Sequence, residues 1–356
     1  MRTKIIGINH PLWMEILQQL EHDVYHLPKY VELEAQRTNS ISEALVIKEK
    51  EQIFFVPYLL RSCQNISDFL TQDRDIFDIV SPYGYPGILL SKAAQQSSDF
   101  LNLAFKEFKQ ALYNRGVCSA FIRLHPILGQ NFTDILATEA LVANGQTVSI
   151  DLTLDESTIW AKTRKGHQST INKCKRLGLT ARRVSFADYF DEFIEIYQET
   201  MDRVQAKDIY YFSHEYFKNL LQLKEHLHLG IVEAENQIIC ASLFFETCGI
   251  VQAHLGGTKN NFLKQSPFNL LLHFMSLWAK KRGNKYLHIG GGVGGKKDNL
   301  FTFKSGFSKQ RHQFLTLRLI INKAHYTDLV TSQAKSLNKS PENLLNSQFF
   351  PAYRAS

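Results

Sequence analysis

The 356-residue chain contains no run of about 18 consecutive apolar residues, so hydropathy gives no candidate membrane-spanning helix. Its first residues, MRTKIIGINHPLWMEIL, are interrupted by Asn9, His10 and Pro11 before a signal-peptide core can form. A cytoplasmic protein is therefore expected, with peripheral contact at the inner face of the membrane as the nearest variant. Cysteine is scarce and scattered. Cys63, Cys118, Cys174, Cys240 and Cys248 are odd in number and show neither a CxxC pair nor Cys/His ligand spacing, so no metal site is expected and the thiols read as reduced packing residues. Acidic residues are absent between Glu156 and Asp188, where Lys162, Arg164, Lys165, Lys173, Lys175, Arg176, Arg182 and Arg183 are all basic.

With 44% hydrophobic residues the chain can build sizeable cores, and its length predicts two domains. A net charge of +7 and a pI near 9.0 favour an anionic partner: a nucleotide, a nucleic acid, a phosphorylated lipid carrier or a membrane surface. On a helix at about 100° per residue, Lys162, Lys165, Lys173 and Arg176 share one arc, opposite Ile159, Trp160, Ile171, Cys174 and Leu177. That stripe is a candidate anion-binding surface; a solvated helix face is the alternative.

The densest signal is Tyr286–Ser308, YLHIGGGVGGKKDNLFTFKSGFS, where an apolar run breaks into glycines and then presents Phe303, Lys304 and Gly306. Glycine admits close backbone approach, which Gly290, Gly291 and Gly306 would give a ligand, and Lys304 carries charge to it. A plain turn with a surface lysine is the alternative reading. Upstream, Ser266-Pro267, the apolar run Phe268 to Ala279, Lys280, Lys281, Arg282 and Gly283 supply N-cap, N1 proline, basic last turn and C-cap of a largely buried helix.

The periodicity predicts a strand at Thr147 to Leu154, the basic helix, helices around Ala187 to Arg203 and after Ser213, and antiparallel strands at His226 to Glu233, Gln237 to Glu246 and Ile250 to Gly256. The buried helix, a strand from Tyr286 to Ile289 and a last strand near Phe314 to Ile321 follow. The first half offers strands at Gln52 to Leu60, Asp78 to Leu90 and Val117 to Leu124, with a helix from Ser97 to Tyr113 ending in Arg115-Gly116. Superposing that Arg-Gly on Arg282-Gly283 aligns the two successions, so a duplicated domain is expected, with two unrelated α/β domains as the alternative. The expected boundaries are 1–146, 147–321 and a tail, 322–356, whose Phe349, Phe350 and Tyr353 dock it on the first domain.

This order of elements resembles the GNAT acyltransferase fold, and its duplication resembles the FemAB family of peptidoglycan bridge-forming aminoacyltransferases. SPYGYPG at Ser81 to Gly87, FIRLHPIL at Phe121 to Leu128, WAKTRKGHQSTINKCKRLG at Trp160 to Gly178 and the FTFKSGF block carry the resemblance. It implies an α/β (α+β) fold of two tandem GNAT-like domains, each a mixed, largely antiparallel sheet flanked by helices. Phe303 and Lys304 would lie at the reacting centre, where Lys304 stabilises the tetrahedral oxyanion of acyl transfer to an amine. For the base, Asp298, Glu246, His254, Tyr83 and Tyr85 are candidates; Asp298 is equally the N-cap of a short helix. Tyr83 and Tyr85 can stack on a sugar or base, Gly84 admits close contact, and Arg123 and His125 can meet a phosphate or carboxylate; a tight aromatic turn and buried alternation explain them equally well.

The expected function is transfer of an acyl or aminoacyl group onto an amine of a nucleotide- or lipid-linked cell-envelope glycan precursor. No permanently bound cofactor is expected; the donor is aminoacyl-tRNA or acyl-CoA. The loop Lys259 to Gln265 lacks the glycines of a CoA pyrophosphate loop, which favours tRNA as partner, although no sustained heptads mark a long helical arm between residues 155 and 230. An acyl-CoA enzyme acting on a capsule or lipopolysaccharide amino sugar and a non-catalytic protein holding RNA or an anionic surface are the alternatives. The sequence leaves the oligomeric state open.

Overall fold

The computed structural model describes residues 1–66, 75–128, 140–347 and 349–355. Thirteen strands run through the described residues: β1 (Arg2–Gly7), β2 (Ile41–Glu49), β3 (Gln52–Ser62), β4 (Phe77–Val80), β5 (Leu89–Leu90), β6 (Val117–Arg123), β7 (Leu141–Asp151), β8 (Thr180–Val184), β9 (Leu227–Ala234), β10 (Gln237–Thr247), β11 (Ile250–Thr258), β12 (Tyr286–Gly290) and β13 (Arg311–Ile320). The chain divides into two compact units, Met1–Asn144 with Phe314–Ser356, and Gly145–Gln313.

In the first unit β1, β2, β3 and β4 pair antiparallel in that order, β4 runs parallel to β6, and β6 pairs antiparallel with Thr316–Ile320 of β13. A parallel pair needs a long crossover, and the helix Ser98–Asn114 supplies it. Ser97 caps that helix by accepting from the Phe100 N–H, and Phe100, Leu101, Ala104, Phe105, Phe108 and Leu112 recur at helical spacing to cover the sheet. In the second unit β8, β9, β10 and β11 pair antiparallel, β11 runs parallel to β12, and β12 pairs antiparallel with β7. Its crossover is the helix Phe268–Lys281. Both crossovers end in a left-handed glycine, Gly116 and Gly283, each at φ 81°. The units therefore repeat one succession, as the tandem GNAT-like expectation requires.

Local chemistry sets the meander. Glu235 and Asn236 (φ 49° and 64°) join β9 to β10, and Cys248 and Gly249 (φ 46° and 81°) join β10 to β11. Two successive positive φ values make the turn whose twist matches antiparallel strands. Val148, Ile150, Val232, Phe244, Val251, Leu287 and Ile289 then face Leu270, Leu271, Leu272 and Met275 of the crossover helix and Ile159, Ile171 and Cys174 of the basic segment. Within the crossover helix Phe274, Leu277 and Trp278 are only half-buried. Ser266 does not cap it; the residue is left-handed (φ 52°) and its hydroxyl donates to the Leu263 carbonyl. Four of the five cysteines are buried and Cys248 is exposed.

Three features depart from the sequence reading. The basic segment is two helices, Glu156–Lys162 and Lys165–Arg176, separated by extended Thr163 (ψ 131°), so Lys162 does not share a helix with Lys165, Lys173 and Arg176. The break is stable because the Gln168 amide donates to the Trp160 and Thr163 carbonyls, at 2.6 and 2.9 Å, that the missing helical turn releases. A helix at Lys323–Ser336, unanticipated in the polar tail, buries Tyr326, Leu329, Val330 and Ala334. Lastly, Phe314 onward belongs to the first unit instead of closing the second at 321, because β13 pairs with β6 from Thr316 to Ile320.

The tail is anchored by a buried polar knot. The Tyr353 hydroxyl, fully buried, lies 3.0 Å from Asp78 Oδ2 and 2.7 Å from Ser119 Oγ, while Arg354 Nε and Arg61 Nε reach the two Asp78 oxygens at 2.6 and 2.7 Å. Tyr353→Phe removes a donor from a buried carboxylate, a change of about 1.5–3 kcal/mol. Denaturant unfolding of the variant is expected to show that loss; a change below about 0.5 kcal/mol would mean that the arginines alone hold the knot.

Candidate active site

The glycine block leaves the carboxyl end of β12 beside β11. The two strands pair only at Ile250–Tyr286, Val251–Leu287 and Gln252–His288, and β11 continues to Thr258 beyond the last of these pairs. In parallel sheets the crevice at the carboxyl ends of such strands is where ligands collect. Gly290, Gly294 and Gly295 take φ values of 72°, 62° and 82°, which turn the chain back toward the helix Asn299–Ser305. Asp298 caps that helix: one carboxylate oxygen accepts from the Phe301 N–H at 2.8 Å and the other from the Val293 N–H at 2.9 Å. Burial alone would raise its pKa, but these amides and the nearby Lys304 charge outweigh it and hold the carboxyl below its ordinary value. Both oxygens are engaged, so Asp298 acts on the loop and helix that position Lys304.

Lys304 lies on this seven-residue helix with its ammonium donating to the Gly291 carbonyl at 2.7 Å. Burial brings its pKa down to about 8, with Asp298 pulling weakly the other way. An ammonium has three donors, so the Gly291 contact leaves two for a reacting group. Phe303 packs against Phe268, Phe307 and the His167 ring. His167 Nε2 lies 2.8 Å from the Phe303 carbonyl, and the Arg164 N–H donates to the Gly306 carbonyl at 2.7 Å. The helix Lys165–Arg176 thus seats its first turn on the segment that carries Lys304.

Close approach at Gly291, Gly292 and Gly306 is to the protein itself. A side chain at Gly306 would meet the His167 ring, one at Gly291 the Gln146 carbonyl, and one at Gly292 the Lys296 carbonyl and the Asp298 carboxylate. In the first unit, Gly84 lies against the Tyr25 ring, and Tyr85 meets Tyr25 and Phe314 edge-on at 6.1 and 5.2 Å. The Tyr83 carbonyl accepts from Tyr30 Oη at 3.0 Å. Arg123 donates to the Ser81 carbonyl at 3.1 Å and sits over Phe121. His125 is buried; its Nε2 faces Asp23 at 2.9 Å and its Nδ1 accepts from the Ile127 and Leu128 N–H groups, which fixes the tautomer. Lys162, Lys165, Lys173 and Arg176 are exposed. Among the earlier base candidates, His254 packs on Phe245, and Glu246 is bound by His228, Arg282 and Asn284, which overcome its burial and hold it at about 2.

One buried polar row escaped the sequence reading. Ser149 Oγ and His312 Nε2 are 2.6 Å apart, His288 Nδ1 and Gln252 Oε1 are 2.6 Å apart, and the two imidazoles lie 6.3 Å from each other. His288 is two residues before Gly290 on the same strand, and its place in the apolar run LHIG was the one visible signal.

The loop before the crossover helix forms a 3-10 turn, Asn260–Gln265, in which the Phe262 and Ser266 N–H groups bond to the Lys259 and Leu263 carbonyls. The Asn260 N–H donates to Glu199 at 2.9 Å, and Lys259 pairs with Glu195 at 3.6 Å.

Residues 161–304 match the family model described as the acetyltransferase (GNAT) domain, a match that lies within the second unit and ends on Lys304. The second unit carries a GNAT acyltransferase domain. No curated protein matches the sequence. Among solved structures, FemX superposes with a TM-score of 0.68 at 12% identity, covering 92% of this chain and 99% of its own. L-PGS from Bacillus licheniformis gives 0.55 at 15% identity, covering 88% and 93%. The C-terminal domain of a putative lysylphosphatidylglycerol synthetase from Agrobacterium fabrum gives 0.50 at 14%, covering 76% and 83%. At these identities the likeness is one of fold. No helix among the described residues is long and apolar enough to cross a membrane.

The seating of His167 on Gly306 in this GNAT domain is testable. Gly306→Ala should cost about 1–3 kcal/mol by overpacking, and His167→Ala in the same chain should recover much of that cost. Strictly additive unfolding free energies in the four-member cycle would contradict the contact.

Proposed function

We propose that this GNAT-type acyltransferase moves an acyl or aminoacyl group onto an amine of a cell-envelope glycan or peptidoglycan precursor, nucleotide- or lipid-linked. The observation that carries the reading is Lys304, a desolvated ammonium beside the Gly291 carbonyl at the carboxyl end of β12. Attack of a neutral amine on the donor carbonyl forms a tetrahedral oxyanion. Lys304's two further N–H donors suit that charge, and in a water-poor site they favour it over the ground-state carbonyl. The whole-length fold likeness to FemX agrees with the FemAB resemblance of the sequence, which implies that acceptor class.

The donor is the finer part of the proposal. Aminoacyl-tRNA is favoured because the loop at Lys259–Gln265 turns donors inward and sets Glu195 and Glu199 where a CoA pyrophosphate would need cations. Acyl-CoA, with an amino sugar of a capsule or lipopolysaccharide as acceptor, is the second reading, and the acetyltransferase description of the matched family favours it. Binding to a panel of acetyl-CoA, longer acyl-CoAs, and charged and uncharged tRNA separates the two. Preference for charged tRNA is expected; saturable CoA binding would replace it.

Lys304→Ala should lower transfer by about 10²- to 10³-fold with the melting temperature nearly unchanged. A large stability loss would instead make the lysine structural. Because only the ammonium stabilises an oxyanion, the rate should fall as pH rises through about 8, the value to which burial brings Lys304. Stability should move oppositely. The depressed folded pKa means that the unfolded chain binds more protons between about 8 and the ordinary lysine value, so unfolding free energy rises with pH across that window. A pH–rate profile whose falling limb survives in Lys304→Arg would assign that limb to another group.

A further inference from the structure

Three helices of the second unit, Glu156–Lys162, Lys165–Arg176 and Phe268–Lys281, border an open, shallow cleft of about 490 Å³, within the range of roughly 300–1,000 Å³ common to small-molecule sites. Glu156, Trp160, Asn172, Lys175, His273 and Leu277 line it, and none belongs to the glycine block or to the helix of Lys304. Trp160 and His273 set their rings 5.1 Å apart at 57°, and Leu277 adds an apolar patch. Burial, with Lys175 adding to it, brings His273 down to about 4, so the imidazole is neutral near pH 7. No hydrogen bond among the described residues engages the side chains of Trp160, Asn172, Lys175 or His273, while the neighbouring Gln168 and Cys174 are bonded within the layer.

The composition selects the ligand. Glu156 opposes a phosphate and Lys175 opposes a cation, so neither a free anion nor an ammonium fits the set. Indole N–H, carboxamide, ammonium, carboxylate and neutral imidazole together present both donors and acceptors around an aromatic and aliphatic wall. A pyranose has the complementary surface, with an apolar ring face to lie on the indole and hydroxyls or an acetamido group around its edge. We infer that this cleft is a saccharide subsite, taking a neutral hexose or N-acetylhexosamine unit away from the reacting amine. The inference rests on the glycan reading for its choice of sugar, while its test does not require turnover.

The probe is N,N′-diacetylchitobiose titrated into the full chain and into Lys304→Ala, followed by tryptophan fluorescence and calorimetry. Trp13 is buried and Trp278 half-buried, so a signal lost in Trp160→Phe reports the cleft. Saturable binding at roughly millimolar Kd is expected in both proteins, weakened at least about tenfold by Trp160→Ala. Asn172→Ala and Lys175→Ala, both at exposed positions, should weaken it several-fold and serve if Trp160→Ala fails to fold. Absence of saturation up to about 50 mM, or equal affinity in Asn172→Ala and Lys175→Ala, overturns the subsite. Uridine monophosphate binding in the cleft more tightly than the sugar also overturns it. Sugar binding without any transfer activity would leave the subsite standing and count against the function proposed above.

Discussion

The missing side chain at Gly306 is the constraint on which the candidate site depends. Without a Cβ there, the His167 ring lies directly on the end of the Lys304 helix, and two polar contacts close over it, from His167 Nε2 to the Phe303 carbonyl and from the Arg164 N–H to the Gly306 carbonyl. A seven-residue helix has too little internal bonding to persist alone. It is held at its start by Asp298 and at its finish by the first turn of Lys165–Arg176. A side chain whose neighbours are pinned on both sides keeps its geometry while a substrate comes and goes.

The glycines work in the same direction. The backbone at Gly291 and Gly292 packs against Gln146, Lys296 and Asp298 at separations that admit no side chain. This packing aims the Gly291 carbonyl at the Lys304 ammonium, and the short bond between them, 2.7 Å, fixes the charge at a partly buried position. Desolvation makes the ammonium costly, which is why its proton is held weakly, and in the proposed reaction the same desolvation would strengthen its pull on a developing oxyanion. Glycine density here thus serves lysine placement before it serves any ligand.

Much of the architecture was legible. Antiparallel strands joined by Glu235-Asn236 and Cys248-Gly249, crossover helices ending in Arg-Gly, and an aspartate placed to cap Leu300 onward are local chemistry, and local chemistry survives folding. The Thr163 break was hidden because it depends on Gln168, five residues on, turning back to the carbonyls that the break exposes. The tail helix buries Tyr326, Leu329, Val330 and Ala334 at helical spacing, but polar residues surround them and weaken the periodic signal. His125 and Arg123 could not be assigned from sequence either, since only the fold brings Asp23 to one and the Ser81 carbonyl to the other. At Gly291 and Gly306 the close approach that the structure shows is to the protein itself.

The fold leaves the donor undecided because one scaffold serves whatever the loop before its crossover helix can hold. In this chain that loop has used its amides internally: Phe262 and Ser266 close a 3-10 turn, and Asn260 gives its N–H to Glu199. Lys259, the cation that opens the loop, is already paired with Glu195. A pyrophosphate arriving there would meet two carboxylates and a closed turn, with Lys264 as an exposed cation of the loop. A nucleic-acid donor is not confined to that loop, since its phosphates are spread along a backbone and can meet the exposed Lys165, Lys173 and Arg176 on a helix that carries no acid. Break and stripe act together: by detaching Lys162, the turn at Thr163 frees the helix Lys165–Arg176 to begin at Gly306, so the cations that could receive a donor's backbone stand on the element that fixes Lys304.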